Sequence, residues 1–180
     1  AVLDAGRADV YNFEVDIHEN YAVSAGVFLH NCHPRDNIAM SWLARELALS
    51  YDPFAQAMVA RQEQALWLVS LARREVHKRS LPLVLLGKAY KPGTSITTGS
   101  AGLLTAELLH ERKVDFFHYD PYVDKGLPPF MLSRPYVFLL MTKHSLFATY
   151  PYPVGSVVLD PFRVVQVREG IEVIHMGVGK

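Results

Sequence analysis

The chain is poor in cysteine. Cys32 is the only one among 180 residues. A lone thiol cannot close an internal disulfide, which argues for a reducing compartment such as the cytoplasm and leaves that thiol open to chemistry. Excess charge of either sign is also missing. Eighteen Lys and Arg residues cancel eighteen Asp and Glu residues, so the electrostatic footprint of a nucleic-acid or anionic-membrane binder is absent. The apolar runs, such as Tyr136 to Met141, fall far short of the ~20 residues that span a bilayer. The histidines, among them His33, His110, His118, His144 and His175, lack metal-ligand spacing and read as structural. No metal site is expected. There are no internal repeats, low-complexity tracts or long linkers, and Ala1 to Arg7 carries no secretory signal. The start at Ala1, close to strand-like sequence, suggests a fragment of something longer or a trimmed chain.

What is present is ordinary globular sequence, half apolar and one-fifth charged, of a length that suits one domain or one domain with an appendage. Residues 1–31 are β-like. Val10, Phe13, Val15, Tyr21 and Val23 favour strands and Ala25-Gly26 marks a turn, yet three short strands need a partner to close a core. The period then becomes helical. Asp36 or Asn37 can cap a first turn, after which Ala39, Leu43 and Leu47 recur on one face. Asp52-Pro53 breaks that helix and suits the start of another, with Pro at its first position. Ala65, Val69, Ala72 and Val76 share a face of this second helix, which ends in the basic stretch Arg73 to Arg79. At about 25 residues it is long enough to carry a subunit interface or simply to pack on its own domain.

From Leu81 strands and helices alternate. Leu83 to Leu86, Val114 to Tyr119, Tyr136 to Met141, Val157 to Leu159 and Val173 to His175 read as strands, and Ala101 to His110 as a helix. The expectation is an α/β fold, a Rossmann-like doubly wound parallel sheet over about 81–180, preceded by a helical segment 36–79 and a short β-rich piece 1–31. Binding residues in such a sheet lie at the carboxyl ends of its strands.

His30-Asn31-Cys32 joins the β-like and helical stretches. An Asn side chain can cyclise onto its own carbonyl and cleave the next peptide bond, and a Cys thiol can accept an acyl group. Residues 10–32 resemble the C-terminal splicing motif of inteins, through Val10-Tyr11, Asn20-Tyr21, Gly26, His30 and Asn31, with Cys32 as the first residue after the intein. Asn12 stands where Asp is usual, and His18-Glu19 where Asp-His is common. The resemblance implies splicing with an absent N-terminal intein half. In that process Asn31 cyclises, His30 assists and Cys32 takes the upstream segment as a thioester.

Residues 32–180 resemble the latter half of the UDP-glucose/GDP-mannose dehydrogenase family. Six segments carry the likeness in order: Cys32-His33-Pro34-Arg35-Asp36, Gly87-Lys88-Ala89-Tyr90-Lys91-Pro92, Tyr119-Asp120-Pro121, Leu139 to Phe147, Asp160 to Arg163, and Met176 to Lys180. The resemblance implies a nucleotide-sugar 6-dehydrogenase that oxidises a sugar C6 alcohol to a carboxylate with NAD. In it Cys32 is the covalent nucleophile, its thiolate favoured by the helix start that follows. Asp36 serves the hydrolytic step, or is a plain helix cap. Tyr90 and Lys91 contact the UDP-sugar, and Arg163 contacts a phosphate or the sugar, or is a solvated surface residue. Where the family commonly has an Arg near the cofactor, this chain has Thr98. NAD is expected to be held mainly by an N-terminal dehydrogenase half outside this sequence. A cytoplasmic homodimer built around the long helix is expected, with a division into an intein segment 1–31, an active-site and dimerisation segment 32–79 and a UDP-sugar-binding domain 80–180. The alternative is a catalytically degenerate nucleotide-sugar-binding module with no active intein.

Overall fold

The computed structural model describes the backbone of residues 20–22, 28–30 and 33, and all atoms of residues 34–126 and 128–176. Two short strands, β1 (Asn20–Ala22) and β2 (Phe28–His30), pair antiparallel with Asn20 opposite His30. The expected strand at Val10 to Val15, the Gly26 turn, Asn31, Cys32 and the closing Gly177 to Lys180 lie outside the described residues.

Helix α1 spans His33–Glu46 and α2 spans Pro53–Arg79. Asp52 starts α2 as expected. Its Oδ1 accepts the N–H groups of Phe54 and Ala55 at 3.1 and 2.9 Å, its Oδ2 accepts the Ser41 hydroxyl at 2.6 Å, and Pro53 follows as the first helical residue. Together these bonds hold the Asp52 carboxyl below its ordinary value against the smaller opposing pull of desolvation. Two expectations for α1 fail. The helix begins at His33, so Asp36 sits inside the first turn rather than capping it, where a negative charge still suits the helix dipole. The face expected to be buried also stays open. Ile38, Trp42, Leu43 and Leu47 are exposed, while Ser41 and Ala44 are buried. Among the described residues α1 packs chiefly along α2, and one main neighbour covers one narrow stripe.

The five remaining strands form a parallel sheet in the order β4-β3-β5-β6-β7, with β3 Leu83–Leu86, β4 Phe116–Tyr119, β5 Val137–Leu140, β6 Val157–Asp160 and β7 Glu172–His175. The order reverses between β3 and β5, as in a doubly wound sheet. The apolar runs in β3, β5 and β6 are buried throughout because both faces are covered. Leu83, Leu85, Val137, Leu139, Val157 and Leu159 meet α2 and α3 (Ala101–Glu111) on one face. Val84, Leu86, Phe138, Leu140 and Val158 meet an aromatic layer of Tyr119, Tyr136, Phe147, Tyr150 and Tyr152 on the other.

That second face departs from the expected winding, since loops and two short 3₁₀ turns (Pro129–Leu132 and Ser145–Phe147) cover it in place of α-helices. The chemistry of the connections explains the change. Pro121, Pro128, Pro129 and Pro135 punctuate the path from β4 to β5, and Pro151 and Pro153 the path from β5 to β6, and each lacks the N–H that a helix interior needs. Aromatic rings in edge-to-face contact, such as Phe138 and Tyr152 with centroids 5.1 Å apart, supply the cover instead. No described helix is long and apolar enough to cross a membrane.

Candidate functional site

The reversal of strand order puts a crevice beyond the carboxyl ends of β3 and β5, the usual place for a ligand in an open α/β sheet. Gly87 ends β3 at a φ of 115°, and a Cβ there would lie 2.5 Å from the Thr142 hydroxyl, so the loops after β3 and β5 meet only because residue 87 has no side chain. Gly102, in the first turn of α3, lets that helix press against the Gly87 carbonyl.

A single carboxylate fills the crevice. Asp120, fully buried at the end of β4, accepts through Oδ2 the N–H groups of Lys88 and Ala89 at 2.7 and 2.8 Å, and through Oδ1 that of Tyr122 at 2.8 Å. Buried His144, in the loop after β5, lies with Nε2 3.0 Å from the same Oδ2, and its Nδ1 accepts the Gly93 N–H at 3.2 Å. An acceptor role for Nδ1 puts the ring proton on Nε2, which therefore donates to Asp120. Desolvation pushes the Asp120 carboxyl up, but the N–H groups of Ala89, Tyr122 and Lys88 and the His144 ring outweigh it, and the group ends below its ordinary value. Lys88 Nζ pairs with Asp124 at 2.7 Å, and Asp124 accepts the Asp120 N–H at 2.8 Å. Three of the segments singled out in the sequence, 87–92, 119–121 and 139–147, thus meet in one hydrogen-bonded node. At the other side, Ser100 Oγ caps α3 by accepting the N–H groups of Gly102 and Leu103.

Backbone amides and a helix start are the parts from which Rossmann folds build a pyrophosphate cradle. Here Asp120 and Ser100 already occupy them. The open space lies one layer out, in a cleft of about 690 Å³ lined by Pro34 of α1, Ala57, Ala60, Arg61 and Gln64 of α2, Tyr90, and Gly99 and Ala101 at the start of α3. That volume lies in the range of small-ligand sites. Residues 57, 60, 61 and 64 recur at one-turn spacing and so share a face, on which two alanines leave the room.

The cleft joins some of the expected site residues and not others. Tyr90 lines it and is held by its N–H to the Ile96 carbonyl at 2.7 Å. Lys91 is the next residue of the same loop and is half-buried. Pro34 brings the amino end of α1 to the cleft, with half-buried Asp36 two residues further on. Arg163 stands apart. It is exposed beyond β6, donates to the Met176 carbonyl at 3.3 Å, and lies two strands from β3, about 10 Å at the usual strand spacing. The backbone of His30 closes β2, and Asn31 and Cys32 fall outside the described residues. Arg61 is the residue that sequence reasoning missed. It sits on the amphipathic α2, where an Arg reads as solvated surface, and only the fold brings it to Gly99. Among the described residues no group of His, Cys, Asp and Glu could hold a metal ion. His118 and His144 both make hydrogen bonds within the fold. His118 Nε2 bonds the Gly87 carbonyl at 2.8 Å, and burial holds its imidazole below the ordinary value.

No family model and no curated protein matches the chain. Solved structures do. A UDP-D-ManNAc dehydrogenase from Pyrococcus horikoshii aligns with a TM-score of 0.66 at 18% identity, over 81% of this chain and 38% of its own. A UDP-glucose dehydrogenase from the hyperthermophilic archaeon Pyrobaculum islandicum aligns at 0.62 and 21%, over 81% and 36%. GDP-mannose dehydrogenase from Pseudomonas aeruginosa, solved as a ternary complex, aligns at 0.59 and 18%, over 79% and 38%. The chain folds like part of a nucleotide-sugar dehydrogenase. It spans little more than a third of the length of each of these three proteins.

Proposed function

We propose that this chain is the nucleotide-sugar-binding part of a UDP-glucose-type dehydrogenase, a module that binds ligand and leaves the dinucleotide cofactor to a separate half. One observation carries the reading. The cleft joins Tyr90, beyond the carboxyl end of β3, to the starts of α1 and α3. The self-filled crevice supports it too, because Asp120 sits where a dinucleotide pyrophosphate is expected to dock. NAD binding then belongs mainly to an N-terminal dehydrogenase half. Tyr90 offers an aromatic face and a hydroxyl, and Lys91 a cation, to the UDP-sugar, while Arg163 serves a ligand only if that ligand reaches across to β6. The division follows the same lines, with 32–79 bearing the dimer contact along α2 and 80–180 the sugar-nucleotide domain. Titration calorimetry with UDP-glucose tests the reading. Saturable binding weakened about tenfold by Tyr90→Ala supports it, and absence of binding in the intact chain ends it.

A second reading adds catalysis and splicing at the 30–32 junction. Two observations favour it: α1 begins at the residue after Cys32, and β2 ends at His30 directly before Asn31. A helix start stabilises a thiolate, which suits Cys32 as nucleophile toward a sugar aldehyde, with Asp36 orienting water for hydrolysis of the thioester. In splicing, Asn31 cyclises with help from His30 and Cys32 accepts the upstream acyl group. Mixing the chain with a cognate N-terminal intein half is expected to yield a ligated product that Asn31→Ala abolishes. The ligated protein is then expected to reduce NAD with UDP-glucose and to lose that activity on Cys32→Ala. No ligated product, or turnover that survives loss of the thiol, leaves the binding module as the function.

A further inference from the structure

Arg61 is a half-buried cation that meets no carboxylate among the described residues. None of the ion pairs among the described residues includes it. A single nitrogen, Nη2, donates to the Gly99 carbonyl at 3.1 Å and the Ser100 carbonyl at 3.3 Å. These two bonds fix the direction of the guanidinium and leave its Nε and Nη1 donors without a partner among the described residues. On its face of the helix Ala57 and Ala60 are too short to cover it, and Gln64 one turn on adds an uncharged amide to the same cleft. The other cations nearby differ in state. Lys88 is neutralised by Asp124 at 2.7 Å, and Lys91 already has an interaction of its own.

A guanidinium pinned on one nitrogen, with donors to spare and no counter-ion among the described residues, is a fork set out for a tetrahedral or bidentate oxyanion. The amino end of α3 adds to the same potential, since Gly99 lies against both the arginine and the cleft, Ser100 meets the arginine and Ala101 lines the cleft. We infer that Arg61 is the phosphate-docking side chain of this cleft, fixed from α2 against the Gly99-Ser100 backbone to receive a phosphate or pyrophosphate group of the ligand. This deepens the nucleotide-sugar reading and rests on the same cleft. The shared chemistry is the pyrophosphate, which a sugar nucleotide and a dinucleotide both carry.

The test is calorimetric titration of the 180-residue chain and its Arg61→Gln variant with inorganic pyrophosphate, UDP-glucose, NAD and uridine. Arg61→Gln is expected to weaken pyrophosphate about tenfold to a hundredfold, in proportion to a lost charge-assisted bond pair, and to leave the phosphate-free uridine unchanged. Whichever of UDP-glucose and NAD loses more affinity identifies the source of the phosphate. Pyrophosphate affinity unmoved by Arg61→Gln overturns the inference, and so does an equal loss for uridine, which marks a damaged cleft rather than a lost charge. Should Arg61→Gln not fold, Thr98→Asp gives the same answer from an exposed position beside Gly99. Its carboxylate leaves the Arg61 bonds in place and is expected to lower pyrophosphate affinity severalfold, and no change counts against the inference. Failure of the two readings separates cleanly. Binding of pyrophosphate without UDP-glucose ends the nucleotide-sugar reading and leaves Arg61 assigned, while UDP-glucose binding that ignores Arg61 does the reverse.

Discussion

Asp120 and Asp160 invite a direct comparison. Both are fully buried carboxylates at the carboxyl end of a strand, and each accepts three backbone N–H groups. They differ in whom they hold. Asp160 bonds Phe162, Val164 and Val165, all within five residues of itself, and His175 Nδ1 stands 3.5 Å away without a hydrogen bond. Asp120 reaches Lys88 and Ala89 across more than thirty residues of chain, and His144 across 24. The first shapes its own turn. The second ties the ends of three strands together and so sets where the Tyr90 loop, and with it the cleft, can sit.

The largest expected effect comes from breaking the long-range node. Asp120→Ala orphans three N–H groups and the His144 proton in a buried place, at about 1–3 kcal/mol each. A loss of at least about 4 kcal/mol in urea unfolding is expected, with Asp120→Asn milder and both weakening UDP-glucose binding. Asp160→Ala orphans three N–H groups and is expected to cost at least about 3 kcal/mol yet leave UDP-glucose affinity within about twofold, because its bonds stay inside one turn. If the two variants alter ligand affinity equally, the distinction between them fails. His144→Phe keeps the ring contacts with Tyr122 and Phe147, at 4.6 and 5.4 Å between centroids, but removes both polar bonds. About 1–2 kcal/mol is expected, with faster amide exchange at Gly93 as the local sign.

Acid separates the same groups at smaller amplitude. The Asp120 carboxyl titrates below its ordinary 3.8 in the folded chain. Its contribution is therefore complete above that value and disappears as pH falls through the lower folded value, and Asp120→Asn should abolish that part of the acid transition. His118 has the opposite charge logic. Burial lowers its folded value from 6.5, so the unfolded chain takes up a proton first and stability is lost as pH falls below about 6.5. Urea midpoints between pH 7 and 5 are expected to fall for the native chain and to fall less for His118→Gln.

These contrasts also mark how far the sequence could be read. The apolar runs of β3, β5 and β6 declared themselves because parallel strands covered on both faces are apolar at every position. Asp52-Pro53 did so because capping is decided within four residues. The Asp120 node was half legible. The segments around 87, 120 and 144 stood out one by one, but their union depends on strand order, which period and propensity do not encode. Arg61 was not legible at all, since its role comes from touching Gly99, 38 residues away. The open face of α1 misled in the other direction, because a helical period announces an apolar stripe without saying what will cover it.

Helix α2 is held unevenly along its length. Its 27 residues make a rod about 40 Å long, and every buried residue on it lies at or beyond Ala65. The half that carries Ala57, Ala60 and Arg61 rests on α1 and, through Arg61, on the backbone at the start of α3, while the half from Ala65 is fastened to the sheet. Hydrogen–deuterium exchange should therefore run as a gradient along a single helix, fast near Pro53 and slow near Ala72. A ligand seated in the cleft would slow the fast half alone, so the rod would report occupancy by its own amides.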